Sequence, residues 1–255
     1  MRLLRRRHTL ADRLPDLSPT DRATTWQLVS LLLGYPDDTL VALLPRLRTY
    51  AAALPDGPRE PLVVALDQFL ATPVEVLRVA YVDTFDVTRK CALHLTYAPY
   101  GDTRRRGVAL VEFRQAFRRA GSPFDRDDEL PDHLSVVLEF GASVDAEIAM
   151  RLIQRHRVSV ELLRRGLADR ESWWLPVLEA LRTTLPPLDG EDDEALARLL
   201  EAGPPQEDVG YDPAALLRGQ DPALLRGDDP ALLPATDKPG PVPLPDPALS
   251  LGGAR

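Results

Sequence analysis

The clearest helical signal in the sequence lies in residues 72–85, TPVEVLRVAYVDTF. Thr72 suits the N-cap position, Pro73 the first helical position and Glu75 the third, a combination that starts helices. Apolar side chains then recur with helical spacing at Val76, Leu77, Ala80, Tyr81 and Phe85. We therefore expect an amphipathic helix here, with its apolar face turned towards a protein core.

The same periodicity continues on both sides of this run. Before it, the pattern predicts helices over residues 21–33, from Asp38 towards Leu54, and over residues 59–71, with Pro45 kinking or dividing the second. After it, the pattern predicts a helix from Asp102 to Gly121 through Val108, Val111 and Phe117, a helix capped by Asp132 that reaches Ile148, and a core-facing element from Trp173 to Leu181. No segment alternates convincingly between apolar and polar residues, so the predicted fold class is all-α.

Composition and charge narrow the possible classes of protein. The 255 residues are 44% hydrophobic and 27% charged, which is typical of a soluble globular chain. The longest apolar runs are far shorter than the about 18 residues of a membrane span. Cys91 is the only cysteine, so an internal disulfide is excluded and a reducing, cytoplasmic compartment is the expectation.

The C-terminal part of the sequence has a different composition. Residues 189–255 contain 14 acidic and 5 basic side chains, a net charge of −9, and 11 of the 25 prolines. The first 188 residues carry +1, without the strong basic excess of a nucleic-acid-binding domain. We predict a basic N-terminal arm over residues 1–19, one helical domain over residues 20–188, and an acidic Pro/Ala/Leu-rich tail over residues 189–255 that is mostly disordered.

No motif in the sequence indicates catalysis. It has no glycine-rich phosphate loop, no Gly-x-Ser-x-Gly elbow and no His-x-x-x-His pair. Asp132, His133 and Glu139 are poorly spaced to share one face of a helix as metal ligands. We expect no enzyme activity, no metal and no cofactor.

Aromatic and charged residues are concentrated between Tyr81 and Gly107. Tyrosine supplies large contact area at low entropic cost, and carboxylates bind arginine through paired hydrogen bonds, so this mixture favours a recognition surface. An irregular loop between helices, packed by its own aromatic side chains, fits the composition equally well. Composition alone leaves both interpretations open.

Three blocks of sequence are similar to one known family. They are residues 81–90, residues 95–97 with 101–110, and residues 129–140, in the family's order and spacing. The sequence resembles the redox-enzyme maturation chaperones, specifically the NarJ branch that assembles respiratory nitrate reductase and is related to TorD and DmsD. The resemblance covers about residues 20–185 and leaves out the proline-rich tail.

The resemblance implies a single helical bundle domain of the TorD-like type that acts as a chaperone. Its partner would be the apo catalytic (alpha) subunit of nitrate reductase, including the N-terminal peptide that remains from a twin-arginine signal. The chaperone would hold this subunit for molybdenum cofactor insertion before membrane docking, with molybdenum cofactor delivery proteins as possible further partners. The alternative is a chaperone or adaptor for a different molybdoenzyme.

The resemblance also supplies candidate peptide-binding residues. Asp132 and His133 are the first of these. The remaining candidates are Glu129, Glu139, Tyr81, Tyr97, Tyr100, Asp102 and Arg104. We add the hypothesis that protonation of His133 near pH 6 to 7 tunes peptide release. The sequence does not say which groove binds the peptide, or whether the protein is a monomer or a helix-swapped dimer.

Overall fold

A computed structural model describes residues 17–124 and 129–188, with residues 190, 194 and 196–198 in addition. The chain separates into two units, Met1–Asp208 and Val209–Arg255, and all described residues lie in the first. Residues 1–16 of the predicted basic arm and nearly all of the predicted acidic tail fall outside the described residues. The predicted domain division therefore stays a prediction.

Over the residues that the structure describes, the fold is helical and contains no strand, as the sequence predicts. The α-helices are α1 (Pro19–Leu32), α2 (Asp38–Ala52), α3 (Arg59–Ala71), α4 (Val74–Tyr81), α5 (Tyr97–Tyr100), α6 (Arg104–Arg119), α7 (Leu134–Ser143), α8 (Ala146–Arg155), α9 (Arg157–Asp169) and α10 (Leu175–Arg182). A π-helical segment (Val82–Asp86) continues α4, and a 3-10 turn (Arg89–Cys91) follows it. Among these helices, none has both the length and the apolar character that crossing a bilayer requires.

Helix α1 lies at the centre of the bundle, against α7 and α10. Its Trp26 is fully buried, and the indole Nε1–H donates to Thr184 Oγ1 at 2.8 Å. From the other side, Trp174 Nε1–H donates to the carbonyl of Leu32 at 2.9 Å. Both indoles thus bury their rings and satisfy their polar atoms, which fixes α1 against the C-terminal part of the bundle.

The predicted amphipathic helix at residues 72–85 is present, but its start differs from the prediction. Thr72 Oγ1 donates to the carbonyl of Gln68 at 2.7 Å and so completes α3 instead of capping α4. Pro73 occupies the N-cap position of α4. The predicted apolar face is buried at Leu77, Tyr81 and Phe85, while Val76 lies outside it with 48% of its surface exposed.

Several other helix predictions are confirmed and three are corrected. Helix α3 covers the predicted residues, and α1 differs from its prediction by two residues at most. Helix α2 runs unbroken through Pro45, so the predicted division is wrong. The predicted run from Asp132 to Ile148 is two helices, because Asp145 accepts from the amide of Ile148 at 2.8 Å and starts α8.

The third correction concerns α6, whose core face is carried by Phe113 and Phe117. The predicted apolar positions Val108 and Val111 are 74% and 48% exposed instead. Helix α9 was not predicted as an element, although it contacts both α10 and the 3-10 turn.

Gly141 of α7 packs closely against Trp26 of α1. A Cβ atom at this position would lie 2.5 Å from Cζ3 of Trp26 and 2.6 Å from Cβ of Ala149. Because both neighbours are buried, neither can move away cheaply. We predict that Gly141→Ala destabilises the protein by about 2 kcal/mol or more, despite the better helix propensity of alanine.

Gly107 provides the matched control for this change. It lies in α6 with no atom within 4 Å of an added Cβ. Gly107→Ala should stabilise the protein by about 0.5–1 kcal/mol, the ordinary propensity gain. Urea denaturation of both variants measures the difference, and an equal effect of the two substitutions would contradict the proposed α1–α7 contact.

Candidate functional site

Two of the three family-like sequence blocks meet at the start of α7. The amide of Leu95 donates to the carbonyl of Asp132 at 3.0 Å, and the amide of Leu134 donates to the carbonyl of Leu93 at 2.9 Å. His94 and His133 stand opposite each other in this short antiparallel bridge. The backbone therefore joins segments that are almost 40 residues apart in sequence.

The Asp132 side chain stabilises the same junction through buried hydrogen bonds. It is fully buried, and its carboxylate accepts from the Thr96 amide at 3.1 Å and from the Thr96 hydroxyl at 2.5 Å. His94 Nδ1 lies 3.3 Å from the other carboxylate oxygen. Burial alone would raise the pKa of Asp132, but the bonds from His94 and Thr96 outweigh it and hold the pKa below its ordinary value.

This geometry corrects the predicted helix cap. Asp132 does not cap α7, because His133 occupies the N-cap position and its side chain makes no capping bond. The buried Asp132 carboxylate also cannot reach a bound peptide directly. Its role in this structure is to position the loop before α5.

His133 packs its ring edge-to-face against His94, with centroids 5.1 Å apart. Burial, together with the nearby His94, lowers the pKa of His133 to about 4, and the Asp132 charge opposes this only in part. The imidazole is thus neutral between pH 5.5 and 8. The hypothesis that His133 protonation near pH 6 to 7 tunes release is not supported by this environment.

The other predicted residues are divided between core and surface. Tyr81 is buried, and its hydroxyl donates to the carbonyl of Leu33 at 3.0 Å, so it holds α4 against α1. Tyr97 is half-buried beneath the Arg106 guanidinium, 5.5 Å from the ring centroid, and Arg106 also donates to Asp102 at 2.7 Å. The remaining candidates of this region, Tyr100 and Arg104, are exposed.

Glu139 belongs to a groove between α6 and α7, whereas Glu129 is exposed before Asp132. The groove has a volume of about 170 Å³. Its lining includes the apolar side chains of Phe117, Phe124, Val136, Phe140 and Val144. The accessible lining mixes polar and apolar atoms and includes the Glu139 carboxylate, a combination that suits an amphipathic, basic peptide.

A second groove lies between α1, α2 and α7, with a volume of about 430 Å³. Side chains from α1 and α2 line most of it, and four of them are the leucines Leu28, Leu31, Leu43 and Leu47. Sequence analysis did not identify this groove, because its residues read as ordinary core positions of two separate helices. Only the packing of the helices shows that they border solvent.

Sequence reasoning also missed the partners of Asp132. Thr96 lies 36 residues away and His94 lies 38 residues away, so no local spacing links them. His156 was missed too: it is 6% exposed, packs 5.2 Å from the Phe113 ring, and has a pKa lowered to about 4 by burial. Within the part of the chain that is described, no three His, Cys, Asp or Glu side chains are grouped to hold a metal.

These features define a helical protein with open grooves and a buried polar junction. Residues 51–180 match the model of the nitrate reductase delta subunit family, and the chain belongs to this family. Membership confirms the resemblance to NarJ-type maturation chaperones that the three sequence blocks suggested.

Two curated relatives are similar to the chain. It is 37% identical over 152 residues to the "Nitrate reductase-like protein NarX" of Mycobacterium tuberculosis, covering 56% of this chain and 22% of NarX. It is 29% identical over 170 residues to the "Probable nitrate reductase molybdenum cofactor assembly chaperone NarJ" of Bacillus subtilis, covering 66% of this chain and 92% of NarJ. The chain thus spans about a fifth of NarX, and the NarJ relative is named a chaperone, not a catalyst.

The solved structure is a redox enzyme maturation protein from Archaeoglobus fulgidus. It is 22% identical to this chain, with a TM-score of 0.49, and the match covers 63% of this chain and 91% of the other.

The buried carboxylate gives a direct test of the junction. We predict that Asp132→Ala lowers the free energy of unfolding by about 2–4 kcal/mol, because it leaves the Thr96 amide and hydroxyl buried without an acceptor. Glu147→Ala is the control, since Glu147 is exposed and pairs with Arg151 on the surface of α8. That change should cost less than about 1 kcal/mol. Equal losses in urea denaturation would show that the Asp132 bonds are not structural.

The buried histidines predict how stability depends on pH. His133 and His156 have folded-state pKa values of about 4, below the ordinary 6.5. Between these values the unfolded chain binds protons that the folded chain does not, so stability falls as the pH falls from 6.5 towards 4. Protonation of each histidine in the unfolded chain should lower the free energy of unfolding by about 2 kcal/mol between pH 7 and pH 5.

Denaturation at several pH values measures this slope. His156→Gln should remove about half of this pH dependence of the free energy of unfolding, because glutamine does not titrate. A wild-type stability that stays constant from pH 7 to pH 5 would mean that the two histidines are not held neutral by burial.

Proposed function

We propose that the protein is a cytoplasmic assembly chaperone for a nitrate reductase. It binds the apo catalytic subunit, including its N-terminal twin-arginine-remnant peptide, and holds this subunit for molybdenum cofactor insertion before membrane docking. The observation that carries the proposal is the membership of residues 51–180 in the nitrate reductase delta subunit family. The name of the Bacillus subtilis NarJ relative supports the same client.

The groove between α6 and α7 is the proposed binding site for the client peptide. Its apolar lining would take one or two apolar side chains from a peptide helix. Glu139 supplies a carboxylate at the groove, where a basic side chain of the peptide can meet it. Val144 is 47% exposed at the same place and extends the apolar surface.

The predicted residues divide into two roles under this proposal. Asp132 and Tyr81 are proposed as positioning residues, because their burial keeps them from the peptide while their hydrogen bonds hold α7 and α4. His133 is half-buried beside His94 and is proposed to position the same junction. Glu139 and Glu129 are proposed to contact the client.

The exposed loop adds a second part of the surface, made of Tyr97, Tyr100, Asp102 and Arg104. Tyrosine rings there offer stacking and hydroxyl contacts, while Asp102 and Arg104 offer charges of both signs. The apo subunit is much larger than its N-terminal peptide, and this surface is where we propose that further parts of it bind. Molybdenum cofactor delivery proteins would then approach the held subunit.

A different molybdoenzyme is the second candidate client. The fold does not select among clients, since one fold can support many different functions. The discriminating experiment therefore compares peptides. The N-terminal peptide of the nitrate reductase catalytic subunit should bind tighter than those of other molybdoenzymes of the same organism.

Titration calorimetry with that nitrate reductase peptide tests the site. We predict micromolar or tighter binding by the full chain, weakened about tenfold or more by Val144→Asp, because the new carboxylate would be desolvated against the apolar peptide face. Val64→Asp is the matched control: Val64 is 52% exposed on α3, so the same substitution there should change affinity less than about twofold.

The possible results separate the client from the groove. Absence of binding by the wild-type protein, with tight binding of another molybdoenzyme peptide, would overturn the nitrate reductase client. Binding that is weakened equally by Val144→Asp and Val64→Asp would overturn the α6–α7 groove and leave the client standing. A scrambled peptide of the same composition controls for nonspecific binding.

A further inference from the structure

Helix α6 has a strongly basic outer face. Six of its 16 residues are arginines and one is a glutamate, so the helix carries +5 in a chain whose formal charge is −8. Five of the arginines are exposed, namely Arg104, Arg105, Arg114, Arg118 and Arg119. The positive charge is thus concentrated on one surface of a protein that is acidic overall.

The described part of the protein does not neutralise this face. The only acidic residue of α6, Glu112, pairs with Arg155 of α8. Arg106 forms an ion pair with Asp102, and its guanidinium lies over the ring of Tyr97. Within the described part of the chain, no carboxylate lies at ion-pair distance from the five exposed arginines. Their charge is therefore available to something outside this part of the molecule.

Helix electrostatics explain Arg118 and Arg119, which lie in the last turn of α6, but not Arg104 and Arg105. Arg104 and Arg105 lie in the first turn of α6, where the helix dipole is positive and disfavours cations. Removing their charge should make the helix more stable, not less. A charge that opposes the local electrostatics and makes no described ion pair is better explained by a partner.

The face also contains two exposed apolar side chains between its basic ends. Val108 is 74% exposed and Val111 is 48% exposed. Arg104, Val108, Val111 and Arg118 follow one another at helical spacing, so they lie along one side of α6. From Arg104 to Arg118 this row extends about 21 Å, a length suited to three or four turns of a partner helix.

We propose that the outer face of α6 is a docking surface for an acidic protein segment whose carboxylates flank a short apolar stretch. The carboxylates would pair with the arginines at both ends of the row, and the apolar stretch would cover the two valines. This partner differs from the basic client peptide of the α6–α7 groove, so the inference does not rest on that groove. Arg104 is shared with the surface proposed for further parts of the client.

Two other classes of partner fit the observations less well. An anionic membrane is bound by helices that present Trp, Phe or Leu among basic residues, and two valines offer too little apolar area. Single-stranded nucleic acid is bound by basic grooves with aromatic side chains for base stacking, and the outer face of α6 exposes none. Tighter binding to a membrane or to single-stranded nucleic acid is therefore included among the outcomes of the test.

The probe is a fluorescent synthetic peptide with glutamate pairs on either side of an alanine-leucine stretch of about ten residues, long enough to match the row. Fluorescence anisotropy with the full chain should show binding at about 50 mM salt that weakens about tenfold or more at about 300 mM. A peptide with lysine in place of glutamate should not bind.

Three variants test the residues. Arg104→Glu/Arg105→Glu should weaken probe binding about tenfold or more while keeping or raising the melting temperature, since acidic residues suit a first turn. Val108→Ser/Val111→Ser should weaken it about threefold or more, because the apolar cover is lost. Arg151→Glu on α8 is the control for a single charge reversal elsewhere and should change affinity less than about twofold.

Two results would overturn the proposal. One is an Arg104→Glu/Arg105→Glu variant that binds the probe as tightly as the wild type does, or that loses stability, which would make these arginines structural. The other is tighter binding to phosphatidylserine vesicles or to single-stranded DNA than to the acidic peptide at the same salt concentration, which would assign the face to a different class of partner.

Discussion

The buried Asp132 carboxylate holds together the part of the structure on which the candidate site depends. A charge taken out of water costs several kcal/mol unless hydrogen bonds replace its hydration. Thr96 provides two such bonds and His94 stands beside them, which ties the loop before α5 to the start of α7. Ser159 of α9 adds a bond to the Leu95 carbonyl at 2.7 Å, so the same loop is held from two helices.

The consequences of this junction extend through α7. Once its start is fixed, α7 can pack Gly141 against Trp26 of α1, the closest helix contact around that indole. The outer side of α7 then forms one wall of the groove with Glu139, and Phe117 of α6 forms another. The loop before α5, helix α7 with its contact to α1, and the groove therefore all depend on the buried Asp132 carboxylate.

The sequence predicted much of the fold because local rules determine it. Residues 59–71 form α3 as expected, since their periodicity is unbroken, and Gly34 with Pro36 follows α1 as predicted. Pro45 was misjudged, because α2 is held by packing on α3 that no local rule includes. Thr72 was misjudged because the carbonyl of Gln68 competes for its hydroxyl.

The candidate site was less predictable, for a physical reason. Asp132 was identified as important, but the function of its carboxylate depends on Thr96, and a hydrogen bond across 36 residues leaves no trace in local spacing. The groove residue Phe117 reads as a core position of one helix, and only its meeting with Phe140 of α7 creates the opening. In contrast, the basic run at Arg104 was visible in the sequence, while its exposure was not.

Under this proposal, two surfaces of the protein suit partners of opposite charge. An apolar groove with the Glu139 carboxylate suits a basic client peptide, and the outer face of α6 suits an acidic segment. Phe117 faces the groove from the end of the same helix whose start carries Arg104, about 20 Å away along the axis. Helix α6 would thus offer different faces to two partners of opposite charge.

The central claim is that the client peptide binds in the groove between α6 and α7. Hydrogen–deuterium exchange of the full chain, with and without a saturating amount of the nitrate reductase N-terminal peptide, tests it most directly. The account predicts slower exchange on peptide binding in residues 117–124 and 134–144, and unchanged exchange in α2. Protection confined to α1 and α2 would contradict it and assign the peptide to the groove lined by Leu31 and Leu43.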